Sequence, residues 1–491
     1  MAGIYLNEDN SHYFFTRGSQ AAERKEIEDF INQYKGSNVE VMLLSPNCQI
    51  TSFKSKVWDC LSDRIDSYQD YFIEKPTMKD WAYAVKDLID KDIDIYAKWI
   101  DLLRKINIKP YITVRMNDVH NANDVNDILH SSFYKDNLNY RRAMYRDSGW
   151  EDRQLNYLIK EVRDYHMALI EEYFERYDFD GIELDWMRFG NHFPTGYADE
   201  GRLVLNEFMR QVRKTADSYE KIRGHKIVVG ARCPVKPDTA FDLGMDAVHW
   251  AKKGYIDFVA PSPFWQTSQA DIPVELWKYL LDGTGCLVTP CFEVCLRPYI
   301  NSEYKSKEQF NSLETLTGPA CSFIDRGADA IYFFNYMDRS DAIIEASDYC
   351  NMINIIGKYD DMKILQKRYI VTFNDRKPDG HWLDIMLPKK LDTGVFTEYR
   401  VHTGNMKDRK EKYVVTAFKD NDDIKDSDLK VYVNGYLCTF AGEQRYRKSF
   451  PVGKLFKWEV PEQAYKSGYQ VIEYVASTEN LTLDWVEMLV Y

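Results

Sequence analysis

The sequence lacks long apolar runs and runs of positive charge. No stretch of 18 or more apolar residues occurs in its 491 residues, so no membrane span is predicted. Lysine and arginine number 64 against 77 aspartates and glutamates, which gives a net charge of −13 without a basic cluster. This balance argues against nucleic acid or an anionic membrane surface as a partner.

The chain also lacks the residue spacings typical of disulfide frameworks, metal sites and phosphate loops. It has nine cysteines, an odd number, and no two of them have C-x-x-C spacing. This pattern favours buried free thiols over disulfides. No pair of histidines has H-x-x-x-H or H-E-x-x-H spacing, and no glycine-rich loop follows an early strand. We therefore predict neither a metal nor a cofactor.

The N-terminal residues Met-Ala-Gly-Ile-Tyr lead directly into an apolar segment, without the apolar core of a signal peptide. Two localisations stay open: the cytoplasm, or a secreted or periplasmic location if an export signal has been removed. The sequence indicates no oligomeric state.

About eight short apolar segments alternate with helical patterns over roughly the first 350 residues. Such alternation predicts parallel strands joined by right-handed crossovers, and eight repeats favour closure into a (β/α)₈ TIM barrel over an open doubly wound sheet. We expect strands near residues 3–6, 39–45, 111–114, 182–185, 226–231, 256–260, 286–291 and 330–334. Long helices are predicted over 87–105 and 152–177.

After residue 358 the hydrophobic period changes to short alternating segments separated by turns. We expect strands at 368–373, 382–387, 397–403, 413–418, 429–433, 469–476 and 481–491. This pattern predicts a C-terminal all-β sandwich, jelly-roll-like in character. The predicted domains are a barrel over residues 1–360 and a β-sandwich over residues 361–491.

The segment Tyr-Asp-Phe-Asp-Gly-Ile-Glu-Leu-Asp-Trp-Met-Arg, residues 177–188, carries acids on an apolar strand. Glu183 and Asp185 alternate with Ile182 and Leu184, so both carboxyl groups are expected on one face of the strand. Buried acids at the end of a strand are typical of a functional site.

This segment resembles the strand-four signature of barrel-type glycoside hydrolases of family 18, Asp-Gly-x-Asp-x-Asp-x-Glu. Asp180, Gly181 and Asp185 match, Glu183 replaces an aspartate, and Met187 stands where the family has its catalytic glutamate. The chain also resembles the family-10-like bacterial glycosidases, with further likeness at residues 115–118 and 52–58. The resemblance implies a barrel that acts on carbohydrate.

Polar and aromatic residues follow nearly every predicted barrel strand. In barrels of this kind the site lies at the carboxyl ends of the strands. The predicted substrate-binding residues are Asp9, His12, Asn47, Arg115, Asn117, Asp118, His120, Arg188, Arg232, Trp265, Asn335 and Tyr336.

Two carboxyl groups are needed for glycoside hydrolysis, and Asp185 with Glu293 is the predicted pair. We expect Asp185 to be the nucleophile or base, ionised through Arg115 and Arg188. Glu293 is the predicted acid. Glu183 is a third candidate, equally compatible with a buried partner of an arginine.

Other functions remain open at this stage. Because Met187 replaces the family 18 acid, a carbohydrate-binding barrel without catalysis is the main alternative. A lyase or a metal-dependent hydrolase is a third. The β-sandwich is expected either to brace the barrel or to bind carbohydrate.

Overall fold

The computed structural model describes residues 2–9, 11–147, 149–264, 267–300, 309–337, 346–405, 411–419, 423–446 and 454–491. The helices are α1 (His12–Arg17), α2 (Arg24–Asn32), α3 (Gln69–Glu74), α4 (Pro76–Asp90), α5 (Ile95–Lys105), α6 (Ser132–Asp136), α7 (Trp150–Arg153), α8 (Lys160–Arg176), α9 (Ala198–Arg223), α10 (Pro237–Asp242), α11 (Ala247–Lys252), α12 (Val274–Leu280), α13 (Leu313–Asp325), α14 (Ala346–Ile355) and α15 (Tyr359–Lys363). No helix in these ranges is both long and apolar enough to cross a membrane.

Parallel strands close into a (β/α)₈ barrel, as predicted. The strands are β1 (Gly3–Glu8), β2 (Val39–Leu44), β3 (Lys109–Arg115), β4 (Gly181–Asp185), β5 (Val228–Pro234), β6 (Phe258–Ser262), β7 (Leu287–Val288), β8 (Cys291–Glu293) and, after the short pair β9 (Cys295–Leu296) and β10 (Gln309–Phe310), β11 (Ala330–Phe334). β7 pairs with β6 and β8 pairs with β11, and these two short strands together form the seventh stave of the barrel. The barrel is thereby closed.

The two faces of each barrel strand have different surroundings. Ile182 and Leu184 of β4 pack outward into the core beneath the helices. The interior is filled largely by rings, and the ring of Tyr5 contacts that of Phe258 edge-on, with the centroids 5.5 Å apart. Gly230 leaves room for this packing, because a Cβ there would lie 2.0 Å from the ring of Phe258.

One predicted helix is divided in the structure. The pattern over 87–105 predicts a continuous helix, but α4 ends at Asp90 and α5 begins at Ile95. Asp92 takes a left-handed backbone conformation (φ 52°), and the Asp94 side chain accepts a hydrogen bond from Ala97 N at 3.2 Å. This N-cap makes a new helix start favourable. The helix predicted over 152–177 likewise begins only at Lys160.

The C-terminal region is a sandwich of two antiparallel sheets, as predicted. One sheet has the order β12 (Lys367–Ile370), β21 (Thr482–Val490), β15 (Lys412–Phe418), β19 (Leu455–Glu459) and β18 (Thr439–Gln444), with β13 (Lys389–Lys390) also on β21. The other has the order β14 (Phe396–His402), β20 (Tyr469–Ala476), β16 (Leu429–Val433) and β17 (Tyr436–Leu437). Their inner faces share one apolar core.

The sandwich differs from prediction at five strands, because one predicted strand does not form and four strands, including the short β13 and β17, were not predicted. Residues 382–387 form no strand, and Trp382 is 95% exposed, because this segment makes only the isolated bridge between Asn374 and Asp384. β18 and β19 were not predicted. The division of the chain into residues 1–360 and 361–491 stays a prediction.

The segment after β12 contacts the loops at the carboxyl end of the barrel. Both carboxylate oxygens of Asp375 accept the backbone N–H of Phe264, at 2.8 and 3.0 Å. The next residue, Arg376, donates to the side chain of Asn191. The C-terminal region therefore holds the loops that follow β4 and β6.

Candidate functional site

Glu183 lies inside the barrel, in a pocket of hydrogen-bond donors. Its Oε1 accepts from the hydroxyls of Thr113 at 2.7 Å and Tyr332 at 2.9 Å, while Oε2 has no hydrogen-bond partner among the described residues. Burial first, and the charge of Asp185 second, raise the pKa of Glu183 to about 8. This side chain is thus a neutral acid at pH 7. The predicted arginine partner is replaced by these two hydroxyls.

Asp185, at the end of β4, is held by Arg232. Nη1 of Arg232 donates to both carboxylate oxygens, at 2.9 and 3.0 Å, and the backbone N–H of Met187 donates to Oδ1 at 3.0 Å. The expected partners, Arg115 and Arg188, are not the ones that form this contact. The register explains the difference, because Asp185 pairs directly with Arg232 on the neighbouring strand β5.

Arg232 is fully buried and uses all three guanidinium nitrogens. Besides the contact with Asp185, Nε donates to Ser262 Oγ at 2.8 Å, and Nη2 donates to the carbonyls of Pro263 and Phe264 at 3.0 and 3.1 Å. The guanidinium carbon also lies 3.6 Å from the centroid of the Phe334 ring. Such saturation is typical of a structural clamp.

Glu293 ends β8 with one carboxyl oxygen uncommitted. Oε1 accepts from Asn335 Nδ2 at 3.0 Å and from the N–H of Val294 at 3.2 Å, whereas Oε2 has no hydrogen-bond partner in the described part of the chain. Burial raises the pKa of Glu293 to about 7. Asn335 is in the left-handed region (φ 61°), which asparagine tolerates better than most residues. The side chain therefore holds a proton near neutral pH.

A charged network lies at the ends of β1 and β3. Arg115 donates to Asp9 and, at 3.1 Å, to Asp118, and Asp118 also accepts from His120 Nδ1 at 2.6 Å. Burial alone would raise the pKa of Asp9, but the positive charges of Arg115 and Arg188 outweigh it and hold this pKa well below its usual range. Asp9 is thus a stable carboxylate.

A cavity of about 460 Å³ opens beside these groups. Its size lies within the usual range for small-molecule sites. Its lining includes four charged residues of the predicted set, together with aromatic and apolar side chains. The lining residues are Asp9, Ser11, Phe15, Cys48, Met78, Trp81, Arg115, His120, Leu129, Arg188, Glu293, Val294, Cys295, Arg297, Phe310, Asn335 and Met337. Asp185 and Glu183 are not part of this lining.

Several other predicted site residues hold the fold around the cavity. His12 lies in α1, with Nδ1 2.5 Å from the carboxylate of Glu8. Asn47 donates to the carbonyl of Arg115 at 3.2 Å, and Asn117 donates to the carbonyl of Leu155 at 3.0 Å.

Tyr336 donates its hydroxyl to the carbonyl of Glu293 at 3.2 Å and stacks on Phe333. It supports the β8 end without lining the cavity. Trp265 lies outside the described residues. The structure thus brings together Asp9, Arg115, His120, Arg188, Glu293 and Asn335 of the predicted set around one space.

The apolar wall of the cavity was not predicted from the sequence. Phe15 of α1 and Trp81 of α4 contact each other edge-on, 5.5 Å between centroids, and Trp81 Nε1 donates to Ser52 Oγ at 3.1 Å. Both occur at helical positions that resemble ordinary core. Phe310 comes from the short strand β10, whose pairing with β9 has no sequence signature.

No family model matches the chain, and no curated protein matches it.

Several solved structures are similar to the chain at low identity. The glycoside hydrolase domain of PgaB from Bordetella bronchiseptica is 10% identical over 68% of this chain and 94% of that domain, with a TM-score of 0.40. A family 18 N-acetylglucosaminidase from Paenibacillus barengoltzii is 8% identical over 74% and 100%, with a TM-score of 0.39. The chain spans 57% of a Paenibacillus sp. cycloisomaltooligosaccharide glucanotransferase, at 9% identity and a TM-score of 0.32, with 99% of this chain covered. Matches this distant carry no argument about function, which rests on the site itself.

Proposed function

We propose that the protein is a glycoside hydrolase that cleaves a glycosidic bond in an oligo- or polysaccharide with two carboxyl groups and no cofactor. One observation carries the proposal. Two carboxyl groups with opposite pKa shifts line the same cavity: burial raises the pKa of Glu293 to about 7, whereas Arg115 and Arg188 hold the pKa of Asp9 well below its usual range. Acid and base assignments follow from pairs of carboxyl groups whose surroundings drive their pKa values apart.

Glu293 is the proposed proton donor. With its pKa raised to about 7 by burial, it retains a proton at neutral pH, and the uncommitted Oε2 can deliver that proton to the leaving oxygen of a substrate. The hydrogen bond from Asn335 fixes the orientation of the carboxyl group. The acid is thus preorganised and partly free, as proton transfer requires.

Asp9 is the proposed second carboxylate, which stabilises positive charge at the anomeric carbon or activates the attacking group. Arg115 and Ser11 hold its orientation, the latter through a 2.6 Å hydrogen bond. Asp185, the residue predicted from the sequence, stays the second candidate for this role. It is disfavoured because it does not line the cavity that contains Glu293 and because Arg232 donates to both of its oxygens.

The apolar wall suits a sugar ring. Trp81, Phe15 and Phe310 add flat hydrophobic surfaces to a cavity that charged groups also line. Pyranose rings have apolar C–H faces and polar edges, so they need both kinds of surface. The mixed lining supports carbohydrate as the substrate class.

The test is turnover of a glycan panel by wild type, Glu293→Gln, Asp9→Asn and Asp185→Asn. We expect Glu293→Gln to lower kcat by about 10²–10⁴ on natural glycosides. On a 4-nitrophenyl glycoside the loss should be much smaller, because this leaving group needs little protonation. Asp9→Asn should impair both substrate types.

Glu200→Gln on the exposed face of α9 is the matched control and should behave as wild type. Glycan binding without turnover in the wild-type protein would support the carbohydrate-binding alternative. Loss of activity in Asp185→Asn together with an unaffected Asp9→Asn would transfer the second role to Asp185.

A further inference from the structure

Arg188 differs from the other buried arginines around the cavity. Its side chain is 7% exposed and lines the cavity, yet it forms no ion pair within the described part of the chain. Nη2 contacts His120 Nε2 at 3.3 Å, and Nε has no hydrogen-bond acceptor among the residues that the structure describes. Arg115 and Arg232, by contrast, are each paired with aspartate.

A buried guanidinium without a carboxylate is energetically unfavourable. Arginine does not lose its proton in proteins, so it cannot escape this cost by becoming neutral. The ring of Phe334, 5.2 Å from the guanidinium carbon, compensates only part of the lost hydration. A cation that lies at a cavity wall without an ion-pair partner among the described residues is suited to bind an anion that enters the cavity.

The remaining charges leave this cation available to a ligand. The carboxylate of Asp9 is paired with Arg115, and Asp118 is shared between Arg115 and His120. Burial raises the pKa of Glu293 to about 7, so this carboxyl is largely neutral below neutral pH and repels an incoming anion only weakly there. Asp9 and Asp118 attract Arg188 electrostatically but form no ion pair with it, so its guanidinium is left for a direct contact with an acidic group of the substrate.

We propose that the cavity takes a sugar unit with an anionic substituent, a carboxylate or a sulfate, and that Arg188 binds this substituent. The inference rests on the proposed function for its assignment to a hydrolytic site. It names the substrate class as acidic glycans. Arginine suits both anions because its planar fork can donate two parallel hydrogen bonds.

The first experiment measures binding to the full chain carrying Glu293→Gln, which prevents turnover. The probes are D-glucuronate, D-galacturonate, D-mannuronate and the 6-sulfates of the same hexoses, each beside its neutral hexose, measured by calorimetry or ligand-detected NMR. We expect at least one anionic probe to bind tenfold or more tightly than its neutral partner. Whether the uronates or the 6-sulfates bind more tightly shows whether the site takes a carboxylate or a sulfate.

Variants at Arg188 assign the effect to this residue. Adding Arg188→Gln should abolish the preference for the anion, and Arg188→Lys should retain part of it. Arg24→Gln, which removes an exposed guanidinium on α2, is the matched control and should leave the preference intact. The melting temperature of the Arg188→Gln protein should equal or exceed that of its parent, because an unpaired buried charge is removed. A merely structural Arg188 would instead lower it.

The second experiment separates this inference from the proposed hydrolysis. Wild type is incubated with acidic polysaccharides and with their carboxyl-reduced or desulfated forms, and new reducing ends are counted. Cleavage confined to neutral glycans would overturn the acidic substrate class and leave the hydrolase. Anion-selective binding without cleavage of any glycan would support the anion site at Arg188 and overturn the proposed hydrolysis. Equal binding of charged and neutral probes, binding of none of the anions, or a preference that survives Arg188→Gln would overturn the inference.

Discussion

Replacing Glu293 by glutamine should remove a pH-dependent cost of folding. In the native state burial raises the pKa of Glu293 from its ordinary value of 4.5 to about 7. Between these two pH values the folded protein holds a proton that the unfolded chain releases. The wild type therefore loses stability as pH rises through this window.

The expected magnitude follows from the two pKa values. At about 1.4 kcal/mol for each pH unit, the difference corresponds to about 3 kcal/mol. Glutamine keeps the shape of the side chain and an acceptor for Asn335, but it does not titrate. Relative to wild type, Glu293→Gln should therefore gain about 3 kcal/mol between pH 4.5 and 7.5, with little further change above.

Differential scanning calorimetry is the appropriate assay, because it measures the Tm of the full chain directly at each pH. For a domain of this size the gain corresponds to a relative increase of roughly 5 °C in the Tm of the barrel. Glu200→Gln provides the control, with a difference from wild type that does not vary with pH. A difference between Glu293→Gln and wild type that is equally flat from pH 4.5 to 8.5 would refute the reasoning.

Three further changes test the barrel interior. Arg232→Met leaves the carboxylate of Asp185 buried and unpaired, so we expect the free energy of unfolding measured in urea to fall by about 3–5 kcal/mol. Adding Asp185→Asn should recover part of this loss, and unchanged stability in Arg232→Met would refute a structural role of the Asp185–Arg232 ion pair. Tyr332→Phe removes a hydrogen bond to Glu183 and should cost about 1 kcal/mol while raising the pKa of that carboxyl, which NMR titration of labelled glutamate measures. Gly230→Ala places a methyl group against a phenyl ring inside the barrel and should lower stability by about 1–3 kcal/mol, with a wild-type Tm as the contrary result.

The barrel could be predicted because its signal is local. Each strand is a short apolar run between turn residues, and alternation along β4 places Glu183 and Asp185 on the interior face. The break between α4 and α5 was missed, since apolar residues continue at helical spacing across it and the cap of Asp94 competes with that pattern. At this position the N-cap hydrogen bond of Asp94 determines where α5 starts, although the apolar pattern is continuous.

Partner choice within the site could not be predicted in the same way. The contact of Asp185 with Arg232 depends on the register between β4 and β5, which closure of the whole barrel sets. Trp81 is separated from Glu293 by more than 200 residues, and its place on α4 looks like ordinary core. Strand ends identified the charged groups, whereas three-dimensional packing selected which of them share a cavity.

The contact between Asp375 and Phe264 joins the C-terminal region to the loop that follows barrel strand β6. The carboxylate of Asp375 accepts a hydrogen bond from the backbone N–H of Phe264, and the backbone carbonyl of Phe264 accepts one from Arg232. A barrel without the C-terminal region would therefore lose the hydrogen bonds to Phe264, whose carbonyl contacts the arginine of the Asp185–Arg232 ion pair. We therefore expect removal of the C-terminal region to destabilise the loop after β6 that Arg232 contacts.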